Sequence, residues 1–216
     1  MDTTPLSIVQ MVLGPFQTNT YLAADTESRV AAVIDPAWGG AEIAREAERR
    51  GWRITDIWLT HAHIDHIAGV RGVAKDLDPV PRIALHPLDR PLWQQSGGTG
   101  WLGLPAVDVG PPPAFELADG VQLVLGAHTF EARHSPGHSP GHVMFYCAAQ
   151  ACLFSGDLLF AGGVGRTDLQ GGDWETLLTS IRERVFDLPD EVHVLPGHGP
   201  ATTVGQERRT NPFLVE

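Results

Sequence analysis

"THAHIDH", residues 60–66, places three histidines and an aspartate within seven positions, directly after the run "DIWL" (56–59). The segment "ITDIWLT" (54–60) has the composition of a buried strand, so the cluster sits at that strand's C-terminal end. Alternate residues on an extended strand end point the same way, which lets His61 and His63 reach one ion. The turn that follows directs Asp65 and His66 toward a second point close by. One short loop can thus serve two adjacent cation positions. Imidazole and carboxylate are the donors zinc takes where cysteine is absent.

A catalytic zinc needs about three protein ligands and an open position, so two ions require more than this loop supplies. Further candidates stand elsewhere in the chain. "HSPGHSPGH" (134–142) holds His134, His138 and His142, "FSGDLLF" (154–160) sets Asp157 after an apolar strand and a glycine, and "LPGHG" (195–199) sets His198 between glycines. A strand-end carboxylate can bridge two cations, which makes Asp157 the natural shared ligand. Taken singly, such residues are ordinarily caps, turns or structural groups. Four strand ends that each present a ligand-type side chain beside Gly or Pro form a joint pattern that chance rarely assembles.

Outward from these loops, "YLAA" (21–24) and "RVAAVID" (29–35) read as strands around a polar turn. "GGAEIAREAERRGW" (39–52) reads as a helix with Ile43, Ala44 and Ala47 on its apolar face and Gly51 at its end. Residues 67–77 predict one helix, "RIALHP" (82–87) a strand, and 121–136 and 142–157 two hairpins. "DWETLLTSIRERVFDL" (173–188) predicts a helix that buries Leu177, Leu178, Ile181, Val185 and Phe186, followed by a last strand in "EVHVLPGHG". The same order of strands, helix, strand appears twice, each time ending in a histidine-bearing loop. Two sheets packed face to face with helices outside satisfy it. Residues 92–115 are rich in Gly and Pro without periodicity, which predicts either a surface excursion or a lid carrying Trp93 and Trp101 over a site.

The formal net charge of −11 argues against nucleic acid as a partner, since counterion release needs a basic surface. No stretch approaches 18 apolar residues, which predicts no membrane span, and "MDTTPLSIVQMVLGPF" lacks the basic start of a secretory signal. The cytoplasm is the expected location. Cys147 and Cys152 flank a hairpin turn and are expected as free thiols facing each other across two strands.

"THAHIDH", "SPGHSPGH", "SGDLLF" and "PGHG", in that order, resemble the metal-binding motifs of the metallo-β-lactamase superfamily. "GPFQTNTYL", "GVGRTDLQGGD" and "TTVGQERRTNPFL" resemble its short bacterial glyoxalase II-like branch, and the likeness covers essentially the whole chain. The resemblance implies an α/β fold, a four-layer αββα sandwich of two mixed sheets with helices on the outer faces. It implies one domain over residues 1–216, without the C-terminal helical domain by which full-length glyoxalase II enzymes grip glutathione. By the same resemblance His61, His63 and His138 bind a first metal, Asp65, His66 and His198 a second, and Asp157 bridges them. Asp35, in "IDPA", supports the histidine loop, His142 is buried support, and His134 lies outside the ligand set. His86, His128 and His193 are structural.

Two divalent ions are then the cofactors, zinc leading, with iron and manganese accepted by the same donors. The implied reaction is hydrolysis of S-lactoylglutathione or a related hydroxyacyl thioester, a small-molecule substrate, by a hydroxide shared between the ions, which Asp65 also orients. The alternative within the resemblance is a persulfide dioxygenase with one iron on His61, His138 and Asp157. Those enzymes tend to carry Asp-Tyr after the last motif's histidine, whereas Gly199 follows His198 here. A lactonase and a metal-holding module without turnover are the remaining readings, the latter weakened by an intact ligand set. Arg166 and Asp168 in "GRTD" predict an ion pair bracing their loop, with contact to an anionic substrate group as the alternative.

Overall fold

A computed structural model describes residues 6–215; residues 1–5, where the segment read against a secretory signal begins, and residue 216 lie outside it. The first sheet contains β1 (Leu6–Leu13), β2 (Thr18–Asp25), β3 (Val30–Ile34), β4 (Arg53–Trp58), β5 (Arg82–Leu85) and β6 (Phe115–Glu116), side by side in chain order. The second contains β7 (Gln122–Leu125), β8 (His128–His134), β9 (Val143–Cys147), β10 (Cys152–Gly156), β13 (His193–Pro196) and β14 (Thr202–Thr203), again in sequence order. A small ribbon, β11 (Leu159–Phe160) with β12 (Gly163–Val164), completes the strands. Both sheets are mixed. β3 and β4 run parallel through the crossover helix α1 (Gly40–Arg49), and β10 and β13 run parallel through α5 (Trp174–Arg184).

Period-two alternation sorts each strand between two faces. In β2, Leu22 and Ala24 pack outward with Ile43 of α1, whereas Tyr21 and Ala23 pack inward between the sheets. Ile57 and Trp58 divide β4 the same way, and Trp58 meets Phe130 edge-on at 5.0 Å across the inter-sheet core. On the far side, Met144, Leu153 and Val194 pack against Leu177 and Ile181 of α5 and Val204 of α6 (Val204–Thr210). Three apolar seams between four layers give the αββα sandwich expected from the sequence. Asp173 caps α5, its carboxylate accepting from Thr176 N at 2.8 Å.

The helix predicted over 67–77 is instead two short ones, α2 (Ile64–Ile67) and α3 (Val70–Ala74). Gly69 separates them because its amide donates to Pro36 O at 2.9 Å, outside the helix, at an approach so close that a Cβ would meet Ala37 O at 1.9 Å. The helix thus begins inside the histidine cluster, with extended His63 as its N-cap. Residues 92–115 are not wholly irregular either. They continue α4 (Arg90–Gln94) into tight turns over Ser96–Leu102 before running to β6. Cys147 and Cys152 lie opposite each other in the β9–β10 pairing as buried free thiols. Among the described residues no helix is long and apolar enough to cross a membrane.

Candidate metal centre

The chemistry-bearing loops leave the C-terminal ends of the parallel strands, where the hydrogen-bonded ladder stops and side chains turn toward a common crevice. Asp35 follows β3, His61 and His63 follow β4, Asp157 follows β10, and His198 follows β13. His138 comes from the β8–β9 loop, and Asp65 and His66 from α2. His138 Nε2 lies 3.2 Å from His61 Nε2 and 2.8 Å from His63 Nδ1. A second group forms beside the first, with Asp65 Oδ2 3.3 Å from His66 Nε2 and 3.2 Å from His198 Nε2. Asp157 stands between them. Its Oδ2 is 3.7 Å from His138 Nε2 and 3.4 Å from His198 Nε2, and its Oδ1 is 3.4 Å from His66 Nε2.

Three of the inward-facing nitrogens are aimed by a partner on the opposite side of the ring. His138 Nδ1–H donates to Arg166 O at 2.8 Å, and His66 Nδ1–H to Asp35 Oδ2 at 3.0 Å. His61 Nδ1 lies 3.0 Å from Thr60 Oγ1, whose hydroxyl donates to Asp35 Oδ2 at 2.6 Å. Thr60 N adds a 2.8 Å bond to Asp35 Oδ1, so Asp35 braces the histidine loop. His142, fully buried, accepts from Asp157 N at 3.1 Å through Nε2, and its Nδ1 meets Ser135 Oγ at 2.9 Å. It supports the Asp157 backbone.

The electrostatics divide the two groups. Burial, reinforced by neighbouring imidazoles, holds His61 well below the ordinary range and His63 down to about 3, so both are neutral with bare lone pairs. In the second group burial opposes charge, but the carboxylates outweigh it. His66 is held well above its ordinary range and His198 is raised to about 9. Asp65 and Asp157 resist burial through the same imidazoles and lie well below the usual carboxylate range.

These donors fit divalent cations. Tetrahedral coordination at Zn–N distances near 2.0–2.1 Å spaces ligand nitrogens about 3.3 Å apart, close to the spacing of the first group. His66 Nε2 and Asp157 Oδ1 are buried without a hydrogen-bond partner, and such orphaned atoms are costly unless something binds them. Among the described residues, His61–His63–His138, Asp65–His66–His198 and Asp35–His61–His66 each bring their donor atoms within 4.8 Å of one another.

Several contributors escaped the sequence analysis. Thr18 Oγ1 donates to Asp65 Oδ2 at 3.1 Å, and Asn19 Nδ2 donates to Pro196 O at 2.9 Å and Gly199 O at 2.8 Å. "TNT" therefore anchors the His198 loop from β2. Asp89 ties Ala62 to Ser139 and Gly141. A cavity of about 330 Å³ opens over the donors, walled by Phe16, Trp101, Leu102, Phe160, Val164 and Leu169. Residues 92–115 do reach the site, but only in part: Trp101 stands 6.5 Å from the His63 ring, whereas Trp93 is buried in the outer core. Arg166 lines the cavity and forms the expected ion pair, with both contacts to Asp168 at 2.7 Å. His134 and His86 stack on each other at 4.3 Å, outside the donor set. His128 is buried 3.7 Å from Asp25, and His193 lies exposed on β13.

The fold and this donor arrangement define a metallo-hydrolase type of protein. Residues 13–198 match the family described as the metallo-β-lactamase superfamily, and the chain belongs to it. It is 39% identical to the probable metallo-hydrolase YqgX of Bacillus subtilis, over 95% of this chain and 96% of that protein. It is 36% identical to the hydroxyacylglutathione hydrolase GloC of Haemophilus influenzae, over 92% and 93% of the two chains. The mitochondrial persulfide dioxygenase ETHE1 of Bos taurus is 34% identical, over 98% of this chain and 77% of its own length. Among solved structures, the BLEG-1 B3 metallo-β-lactamase superposes with a TM-score of 0.91 at 38% identity, over 97% of this chain and all of that one. TTHA1623 in a di-iron-bound form gives 0.85 at 42%, over 95% and 100%.

Proposed function

We propose that this chain is a dinuclear metallo-hydrolase that cleaves hydroxyacyl thioesters of the S-lactoylglutathione type. His61, His63 and His138 would hold one cation and Asp65, His66 and His198 the other, with Asp157 shared. The observation that carries this is the position of Asp157 Oδ2, 3.7 Å from a nitrogen of the first group and 3.4 Å from one of the second. The GloC and di-iron TTHA1623 relatives support it. Bound divalent cations would supply Lewis acidity toward an acyl carbonyl and acidify water at neutral pH.

The chain's own residues do the rest. Asp65 lines the cavity with an ionised carboxylate, placed to orient attacking water. Thr18 fixes that carboxylate from below. Trp101, Phe16 and Phe160 present apolar surface to the substrate and restrict water at the reacting carbon. Zinc leads as the metal, with iron and manganese suited to the same donors. We further propose a single domain that works in the cytoplasm.

Purified protein loaded separately with zinc, iron and manganese should hydrolyse S-lactoylglutathione. No turnover with any of the three overturns the assignment. The second reading, persulfide dioxygenation, is favoured by the ETHE1 likeness over nearly the whole chain. One iron per chain with rapid oxygen uptake on glutathione persulfide would establish it instead. A β-lactam and a lactone belong in the same panel.

A further inference from the structure

Asp89 is a fully buried carboxylate with no place in either donor group. It ends the turn Pro87–Asp89 at the start of α4, in the stretch that leads to Trp101. Its Oδ2 accepts from Ala62 N at 3.0 Å and from Ser139 Oγ at 2.8 Å, and its Oδ1 accepts from Gly141 N at 2.7 Å. Ala62 lies between His61 and His63, and Ser139 directly follows His138. One side chain thus clamps together the two loops that supply the first group's nitrogens.

Burial works against this charge and raises the carboxyl's pKa, so the fold retains it at a cost that an apolar brace would not carry. In return a carboxylate gives directional bonds, which fix the two loops relative to each other. Packing alone would hold them less exactly in register. A second tie joins the Asp89 segment to the His138 loop alone: the His86 ring stacks on His134 at an interplanar angle of 4°, and His134 Nε2–H donates to Pro140 O at 3.0 Å. The second group is braced elsewhere, by Asp35 on His66 and by Thr18 and Asn19 on Asp65 and the His198 loop.

We propose that Asp89 is a positioning residue that sets the spacing of His61 and His63 against His138, and so governs cation affinity at that group while leaving the Asp65–His66–His198 group unaffected. This rests on the dinuclear reading above. In Asp89→Asn the amide nitrogen must face a donor, Ala62 N–H or Gly141 N–H, in an otherwise unchanged outline.

Stepwise zinc affinity is measured by competition with a chromophoric chelator, and imidazole ¹⁵N shifts identify which histidines respond at each step. In Asp89→Asn the step seen by His61, His63 and His138 should weaken by about 10–100-fold, the range for removing a ligand's supporting partner, with the other step within about twofold. Asp56→Asn is the comparator, a buried carboxylate on β4 bonded to Arg82 at 2.8 Å; it should lower stability and move neither step. If Asp89→Asn does not fold, Ser139→Ala removes one of the three bonds and should give a smaller change in the same direction. Equal weakening of both steps, no weakening, or the same pattern in Asp56→Asn overturns the proposal. Hydrogen exchange on metal-free protein separates it from the dinuclear reading: in Asp89→Asn whichever of the Ala62 and Gly141 amides faces the new amide nitrogen should lose protection. Unchanged protection refutes the clamp, whereas wild-type protein that takes up only one ion refutes the dinuclear reading.

Discussion

Asp35 Oδ2 lies 3.0 Å from His66 Nδ1, with both side chains closed off from solvent. Asp35 reaches this position with a φ of 50°, a left-handed conformation that Asp and Asn tolerate better than other side-chain-bearing residues. Asp35→Asn therefore preserves the backbone and changes only the chemistry. An amide nitrogen at Oδ2 would oppose the Nδ1 proton and favour the tautomer protonated at Nε2, the nitrogen that faces the second group. Affinity at the His66 position should fall by about 10–100-fold, as read by chelator competition.

Gly197 packs against Asp157 so tightly that a Cβ would sit 2.1 Å from Oδ1 and 2.8 Å from His66 Cε1. Gly197→Ala should displace the shared carboxylate. Elemental analysis is expected to show metal content falling below one ion per chain, while circular dichroism remains that of the folded protein.

Stripped of metal, the protein should lose stability on both sides of neutrality. His63 is held down to about 3, first by burial and then by His138, so below about pH 6.5 the unfolded chain binds the proton more tightly. Stability falls as pH drops from there toward 3. For His198, burial lowers the pKa but hydrogen bonds to Asp157 and Asp65 raise it to about 9. That contribution is complete below about pH 6.5 and disappears as pH rises through about 9. Urea unfolding from pH 5 to 9.5 should trace both limbs, and His198→Gln should flatten only the alkaline one.

Trp101 is 38% exposed at the cavity rim, with surface available to a substrate. Trp101→Ala should raise KM about 5–20-fold with little change in kcat, equivalent to about 1–2 kcal/mol of uniform binding. A fall in kcat at constant KM would contradict that role.

The Arg166 side chain is 55% exposed and pairs with a still more exposed Asp168, whereas its carbonyl holds His138. Exposed pairs contribute about 0–1 kcal/mol. Arg166→Ala should accordingly leave metal content unchanged and stability within about 1 kcal/mol. Kinetics on anionic and neutral thioesters then report whether the guanidinium also meets substrate, through a KM increase confined to the anionic series.

The sequence by itself determined the donor types, the loops that bear them and the order of strands and helices around them. These follow from local rules: short apolar runs bounded by turn residues mark strands, and Gly or Pro beside His138 and His198 marks a chain leaving its strand. Only the tertiary structure decided that Asp89 joins two histidine loops, that Thr18 and Asn19 anchor a third, and that Trp101 meets the cavity while Trp93 is buried. Asp89 and its partners are 27 to 52 residues apart along the chain. A carboxylate next to a helix start looks the same in sequence whether it caps that helix or receives hydrogen bonds from distant loops. The helix expected over 67–77 was interrupted for a similar reason, because Gly69 answers to the backbone of Ala37 and not to its neighbours in sequence.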